Sequence, residues 1–218
     1  MTGRRGGRWS VRPVTAGTWR DLERLFGARG APHYCWCTIY RVPREPHLSN
    51  PEKKEAMRRL VGEGVPVGVL AYDGEEPVGW CSVAPRETYR RLDRSRTMPR
   101  ATPPETPTWT ILCFFVPGPH RGTGIPRRLL EGAVAYARSQ GARVIEAYPF
   151  DTAGISATHR GHSSTFRDAG FLQDGARWYL DLEQVVSPGS TAQKSQKPGS
   201  SAGTNGFATD EGTSKYIT

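Results

Sequence analysis

The residues best equipped for chemistry in this chain are His120-Arg121-Gly122-Thr123-Gly124. Two closely spaced glycines beside a cation make a loop whose backbone N–H groups can approach an anion with no Cβ in the way. Pro126 follows, where a helix's first turn loses nothing by lacking an N–H. Leu129, Leu130, Ala133, Val134 and Ala137 then recur at helical spacing. Ahead of the loop, Trp109 to Val116 is an apolar run of strand length, stopped by Pro117-Gly118-Pro119. Strand, glycine loop and helix N-terminus is the order that holds a phosphate at the positive end of a helix dipole. Neither the GxGxxG fingerprint nor the P-loop GxxxxGK[ST] is present. A plain tight turn between strand and helix is the competing reading.

Two further stretches carry chemical groups. Glu146 is a carboxylate inside an apolar run, Val144-Ile145-Glu146-Ala147-Tyr148. Burial would raise its proton affinity toward that of a working base, unless an arginine pairs with it. Tyr34-Cys35-Trp36-Cys37-Thr38-Ile39-Tyr40-Arg41 combines Cys-x-Cys with dense aromatics. No second Cys/His pair lies at ligand spacing, so no metal is expected.

The elements that must position these groups read off the chain in order. Trp9 to Val14 alternates as a strand, and Thr18 or Asp21 opens a short helix through Phe26. Gly27 to Asn50 holds three prolines and reads mostly as loop. Asn50-Pro51 supplies an N-cap and first-turn proline for a helix to about Gly62. Val67 to Tyr72 and Pro77 to Ala84 read as strands joined by Asp73-Gly74-Glu75-Glu76. Residues 85–108 form a long arginine- and proline-rich connection. After the central unit come a strand at 144–149, a loop to about 161, a helix near 163–169 and an antiparallel pair around 171–182.

The length of 218 residues suits one domain, expected over 9–184, between a flexible 1–8 and a disordered, Ser/Gly/Thr-rich tail at 185–218. The formal charge is +9, and only five of the 30 basic residues are lysines, leaving 25 arginines. The arginines are scattered rather than banked on one helix, so nucleic acid is not an expected partner. Four cysteines are too few for a disulfide framework in a chain of this size. No apolar run is long enough to span a bilayer, so no membrane partner is expected. The basic N-terminus lacks the apolar segment of a secretory signal, so a reducing, cytoplasmic setting follows.

The order Val116, Arg121-Gly122-Thr123-Gly124, amphipathic helix to Gln140, Gly141-Ala142, then Val144 to Tyr148 resembles the acetyl-CoA-binding core of the GNAT acetyltransferase superfamily. Gly122 and Gly124 match the small positions of its Q/R-x-x-G-x-G/A pattern, whose first position falls on Pro119. Phe166-Arg167-Asp168-Ala169-Gly170-Phe171 resembles the family's late helix ending in GF. The resemblance implies an α/β fold, a GNAT-type mixed twisted sheet with helices on both faces. It implies acetyl-CoA as co-substrate, no metal, and direct attack of an amine on the thioester.

By the same resemblance, acetyl-CoA would lie along Phe114, Phe115 and Val116, on the backbone of His120, Arg121, Gly122, Thr123, Gly124 and Ile125, and against Ser163 and Phe166. The family's frequent acid, a tyrosine, falls on Phe166, whose ring has no proton to give. His162, Ser163 and Tyr148 are the alternatives, and Glu146 is the expected base. Tyr34, Cys35, Trp36 and Tyr40, with Trp80 and Arg86, are expected to line the acceptor pocket. The acceptor is expected to be a small-molecule or peptide amine, and the protein a monomer or homodimer. A non-catalytic acyl-CoA-binding module is the alternative function.

Overall fold

One mixed sheet carries the structure, a computed structural model that describes residues 9–31, 34–151 and 158–183. The expectations for residues 1–8 and for the tail fall outside these. The strands are β1 (Trp9–Pro13), β2 (Val69–Asp73), β3 (Glu76–Pro85), β4 (Thr108–Phe115), β5 (Val144–Ala147), β6 (Leu172–Asp174) and β7 (Arg177–Asp181). They lie in the order β1-β2-β3-β4-β5-β7-β6. Every neighbouring pair is antiparallel except β4 with β5. A parallel join needs a crossover, and the helix α3 (Ile125–Ser139) supplies it. The other helices are α1 (Trp19–Phe26), α2 (Asn50–Gly62) and α4 (Ser163–Asp168).

The helices divide between the two faces. On one, Ile125, Leu129, Leu130, Ala133 and Ala137 of α3 and Phe166 of α4 pack on Val83, Ile111, Ile145 and Ala147. On the other, Leu22 and Phe26 of α1 and Met57 and Val61 of α2 pack on Leu70, Tyr72 and Trp80. Trp80, Ser82 and Ala84 alternate onto this second face. Beside α1 and α2 it is roofed by the long connection, which folds into short 3-10 turns at Arg86–Thr88 and Arg90–Arg94. Tyr89, Leu92 and Met98 of that connection bury Ala84, Leu112 and Tyr148.

The cap of α2 differs from expectation by one residue. Ser49 is the N-cap, closing a capping box in which its N–H donates to Glu52 Oε2 at 2.7 Å. Asn50 instead reaches away, donating to the Arg29 carbonyl at 2.9 Å.

The feature that makes a site is where the sheet comes apart. β4 and β5 pair over four positions, from Thr108↔Val144 to Ile111↔Ala147. β4 then continues through Leu112–Phe115 without β5. On its other edge β4 changes register: Ser82 faces Cys113 while Val83 faces Ile111, so Leu112 is an extra residue. Such a bulge bends the strand and increases its twist. It falls on the first residue past the last β5 pair, and from there the β5 side of β4 has no strand partner among the described residues.

Candidate active site

The glycine loop leads to the mouth of that opening. Gly122 and Gly124 have φ of +74° and +81°, and a Cβ built at either would meet no atom of the described residues within 4 Å. The left-handed turn is therefore cheap only for glycine, and the space above it is open. The loop braces itself from within. His120 N–H donates to the Pro117 carbonyl at 3.0 Å, and the Thr123 hydroxyl to the His120 carbonyl at 2.6 Å. Arg121 Nε donates to the Val116 carbonyl at 3.2 Å, tying the loop to the end of β4. Among the described residues, the N–H groups of Gly122, Thr123, Gly124 and Ile125 have no hydrogen-bond partner. Gly124 is the N-cap of α3, and no acidic residue stands in the first turn. Unpaired N–H groups and a positive helix end thus face open space together.

The opening between β4 and β5 has an aromatic floor. Phe114 meets Phe166 edge-on at 6.0 Å, and Phe166 meets Phe171 at 5.2 Å. Phe166 is wholly buried there, so its ring supports β4 from beneath. Phe115 turns to the other face against Phe26, and both it and Val116 are half-buried. Gly161 presses on the Phe114 and Phe166 rings and accepts from Phe150 N–H at 3.4 Å. This brings His162 and Ser163 to the α4 side of the opening. The His162 side chain is 60% exposed, its Nδ1 4.0 Å from Asp151 Oδ1. Ser163 N–H donates to the same Asp151 oxygen at 2.9 Å. That contact with Ser163, above all, holds the Asp151 carboxyl below its usual range.

Tyr148 is held elsewhere. Its hydroxyl accepts from Arg86 Nη1 at 3.3 Å and donates to the Pro99 carbonyl at 3.2 Å. Burial pushes its phenol up to about 12. Its proton is already committed to a backbone carbonyl.

Glu146 is not placed to act as a base. Its side chain is 0% exposed and sits in a clamp. Oε1 accepts from Arg86 Nη1 and, at 3.0 Å, from Thr110 Oγ1; Oε2 accepts from Arg177 Nε at 3.2 Å. Arg86 is completed by the Met98 carbonyl at 2.7 Å. Two guanidinium groups and a hydroxyl take the lone pairs a base would need, and no acceptor can reach them. Glu146 and Arg86 form a buried ion pair that ties β5 to the connection roofing the sheet.

The expected acceptor wall also resolves differently. Trp36 is 1% exposed, stacks on Trp19 at 6.2 Å and meets the tilted ring of Phe26 at 5.5 Å. Its indole lies so close over Gly30 that a Cβ there would sit 2.2 Å from Nε1. Trp36 is thus core, because α1 needs a large apolar partner and this loop supplies it. Trp80 is fully buried in the same cluster, and Arg86 belongs to the clamp on Glu146. Tyr34 remains exposed, while Cys35 and Tyr40 are half-buried. Tyr40 borders the connection, whose Arg91 N–H donates to the Tyr40 carbonyl at 3.1 Å.

Arg177 and Arg41 escaped the sequence reading. Arg177 shares a strand face with Tyr179, which lies across from Glu146, but only the register of β5 with β7 shows this. Among the described residues no three His, Cys, Asp or Glu side chains gather as metal ligands. No helix among them is long and apolar enough to cross a membrane.

Known proteins bear on these features. The sequence model of the Acetyltransferase (GNAT) family matches residues 32–159. No curated protein matches the chain in sequence. Among solved structures, an N-acetyltransferase from Staphylococcus aureus Mu50 is similar, at 15% identity and TM-score 0.49, over 80% of this chain and 99% of that one. The GNAT domain of S. lividans PAT is similar at 25% identity and TM-score 0.46, over 82% and 93%. A GNAT family acetyltransferase from Brucella melitensis, in complex with acetyl-CoA, is similar at 13% identity and TM-score 0.45, over 81% and 89%.

Proposed function

The chain belongs to the GNAT acetyltransferase family, and from that premise we propose that it transfers an acetyl, or other short acyl, group from acetyl-CoA to an amine of a small molecule or peptide. The observation that carries the reading is the opening where β4 outruns β5, beside the unpaired N–H groups at the start of α3. The pyrophosphate of the donor would rest on Gly122 to Ile125, with Arg121 adding charge. The edge of β4 from Leu112 to Phe115, beyond its pairing with β5, would offer backbone groups to the pantetheine arm, as a strand edge does to an added strand. N–H groups on that edge would also steady the oxyanion formed when the amine attacks the thioester.

His162 is the proton donor we assign to the leaving thiolate. It is exposed at the α4 side of the opening, whereas the Tyr148 proton is held by Pro99 and Phe166 has none. With Glu146 clamped, no buried carboxylate takes the proton of the amine. The amine reacts in its neutral form and loses its proton to water. All four cysteines are free, which suits the reducing, cytoplasmic setting we assign.

The test is release of coenzyme A thiol from acetyl-CoA against a panel of amines. Amine-dependent release supports the reading. Tight CoA binding without release to any amine would favour the acyl-CoA-binding module, for which a phenyl ring in place of the usual acid is the supporting observation. Absence of CoA binding would end both.

A further inference from the structure

The connection between β3 and β4 stands level with the opening. The Tyr89 hydroxyl and Ser82 Oγ share a hydrogen bond at 2.9 Å, and Ser82 pairs with Cys113, inside the stretch of β4 that runs on past β5. Leu92 packs with Leu112 and Tyr148, the first residue of β4 past the last β5 pair and the first residue after β5. Arg91 clasps this turn to the 34–41 loop: its N–H donates to the Tyr40 carbonyl at 3.1 Å and its Nη1 to the Ile39 carbonyl at 2.6 Å. Phe166 supports β4 on the opposite face of the sheet. The face left for an approaching amine is the one the connection borders.

That border is basic. Arg90, Arg94 and Arg96 are exposed, and no side-chain partner meets them among the described residues. Another guanidinium lies beneath the same turn. Arg41 is 4% exposed, and no carboxylate meets it among the described residues. Its Nη1 donates to Thr88 Oγ1 at 2.9 Å, and its Nη2 to the Val67 carbonyl at 2.9 Å and Ser82 Oγ at 3.3 Å. It lies 4.1 Å over the Tyr89 ring, and its Nε has no partner. A buried cation served only by neutral groups is costly unless an anion stands near. The connection's own carboxylates do not supply that anion. Glu87 is taken by Arg100 at 2.5 Å. Glu105 precedes Thr108, at the end of β4 away from the opening. Asp93 is left on the turn, against the arginines on either side of it.

We propose that the acceptor carries an oxyanion, a carboxylate or phosphate, beside its amine, and that Arg90, Arg94 and Arg96 draw it to the opening. This rests on the acetyl-transfer reading above and names the substrate class of that site. The planar fork of guanidinium donors matches a carboxylate or phosphate. Exposed arginines act chiefly by steering, since a field of one sign over a recess raises the encounter rate of an oppositely charged substrate by about 10- to 1000-fold. The same rim repels amines whose only charge is positive, which sharpens the choice.

Thiol release from acetyl-CoA is measured on amine pairs that differ only in the oxyanion. One pair is phosphoethanolamine and ethanolamine. The other is a lysine peptide flanked by glutamates and the same peptide flanked by glutamines. In at least one pair kcat/KM should favour the oxyanion by about tenfold or more at low salt. Whichever pair responds identifies the source of the charge. The advantage should shrink as salt rises from about 0.01 M to 0.15 M, where the screening length falls from about 30 Å to about 8 Å. Arg90→Gln/Arg94→Gln/Arg96→Gln should lose it. Arg20→Gln/Arg59→Gln/Arg138→Gln removes the same charge from exposed sites elsewhere and should keep it. Melting curves and calorimetric titration with CoA accompany both variants. Equal rates within both pairs, an advantage that salt leaves untouched, or equal loss in the two variants would overturn the proposal and leave acetyl transfer standing. A fall in CoA affinity confined to the first variant would give the arginines to the donor and overturn it likewise. Should the first variant melt early, the salt series on the native chain decides. Failure of every amine to release thiol would instead overturn acetyl transfer, and this proposal with it.

Discussion

The loop at 120–124 and the loop at 34–41 both pass through left-handed backbone, and they do so with different residues. The first uses Gly122 and Gly124, leaves the space above them empty and leaves its N–H groups unpaired. The second uses Tyr34, Trp36 and Cys37, at a cost of order 1–3 kcal/mol for each strained residue. Trp36 and Cys37 offset that cost by burial, Trp36 among Trp19, Phe26 and Gly30 and Cys37 against Trp80. Tyr34 carries the same strain with an exposed ring, and nothing in the structure explains it. The lesson is that glycine at a left-handed position marks a surface kept open, while a large residue there marks a side chain the core requires. Both loops held residues of chemical type, and only one kept them accessible.

The comparison breaks most sharply at Trp36. Trp36→Ala should cost about 3–5 kcal/mol of stability, the range for emptying a large aromatic site in a core. Donor binding and any acetyl transfer should fall together with the folded fraction. A near-native melting curve with only acceptor KM raised would return Trp36 to a pocket wall and dissolve the contrast. Glu146→Gln comes next, at about 3 kcal/mol, because it leaves the Arg86 and Arg177 charges buried with one partner fewer. Chemical denaturation measures it. A normal midpoint with turnover down about a hundredfold would restore Glu146 as the base.

On the open loop the expected effect is smaller and of a different kind. Gly122→Val should weaken CoA binding at least about tenfold, roughly 1.4 kcal/mol, by placing branched carbon where phosphate oxygens approach. Calorimetric titration with unchanged affinity would end the assignment of this loop to the donor. The smallest effect tests the closed loop again. Cys37 is lowered from its ordinary 9.0 to about 7, so its contribution to stability is complete above the unfolded value and is lost as pH falls through the folded one. Stability should therefore rise by about 1 kcal/mol from pH 7 to pH 8, and Cys37→Ser should flatten that rise. Equal slopes in both proteins would remove the thiolate from the closed loop.

The sequence by itself determined the strand, loop and helix at 109–139, because each part rests on local rules. Aromatic and branched residues make the strand, prolines stop it, glycines turn the chain, and a period near 3.6 makes the helix. The same local rules yielded α2, the β2–β3 hairpin and the final antiparallel pair. Only the tertiary structure decided which chemical residues remain usable. The partners of Glu146 are Arg86, Thr110 and Arg177, at separations of 60, 36 and 31 residues. Meeting them depends on strand register, and a slip of one residue would have turned Glu146 to the α3 face. The bulge at Leu112 is equally invisible in composition, yet it sets Cys113 into the cluster with α1 and α2 and turns Phe114 toward Phe166. Trp36 has no period of its own, so its burial was set by what α1 and β3 left unfilled. A residue's type states what chemistry it can do, and long-range packing states whether anything can reach it.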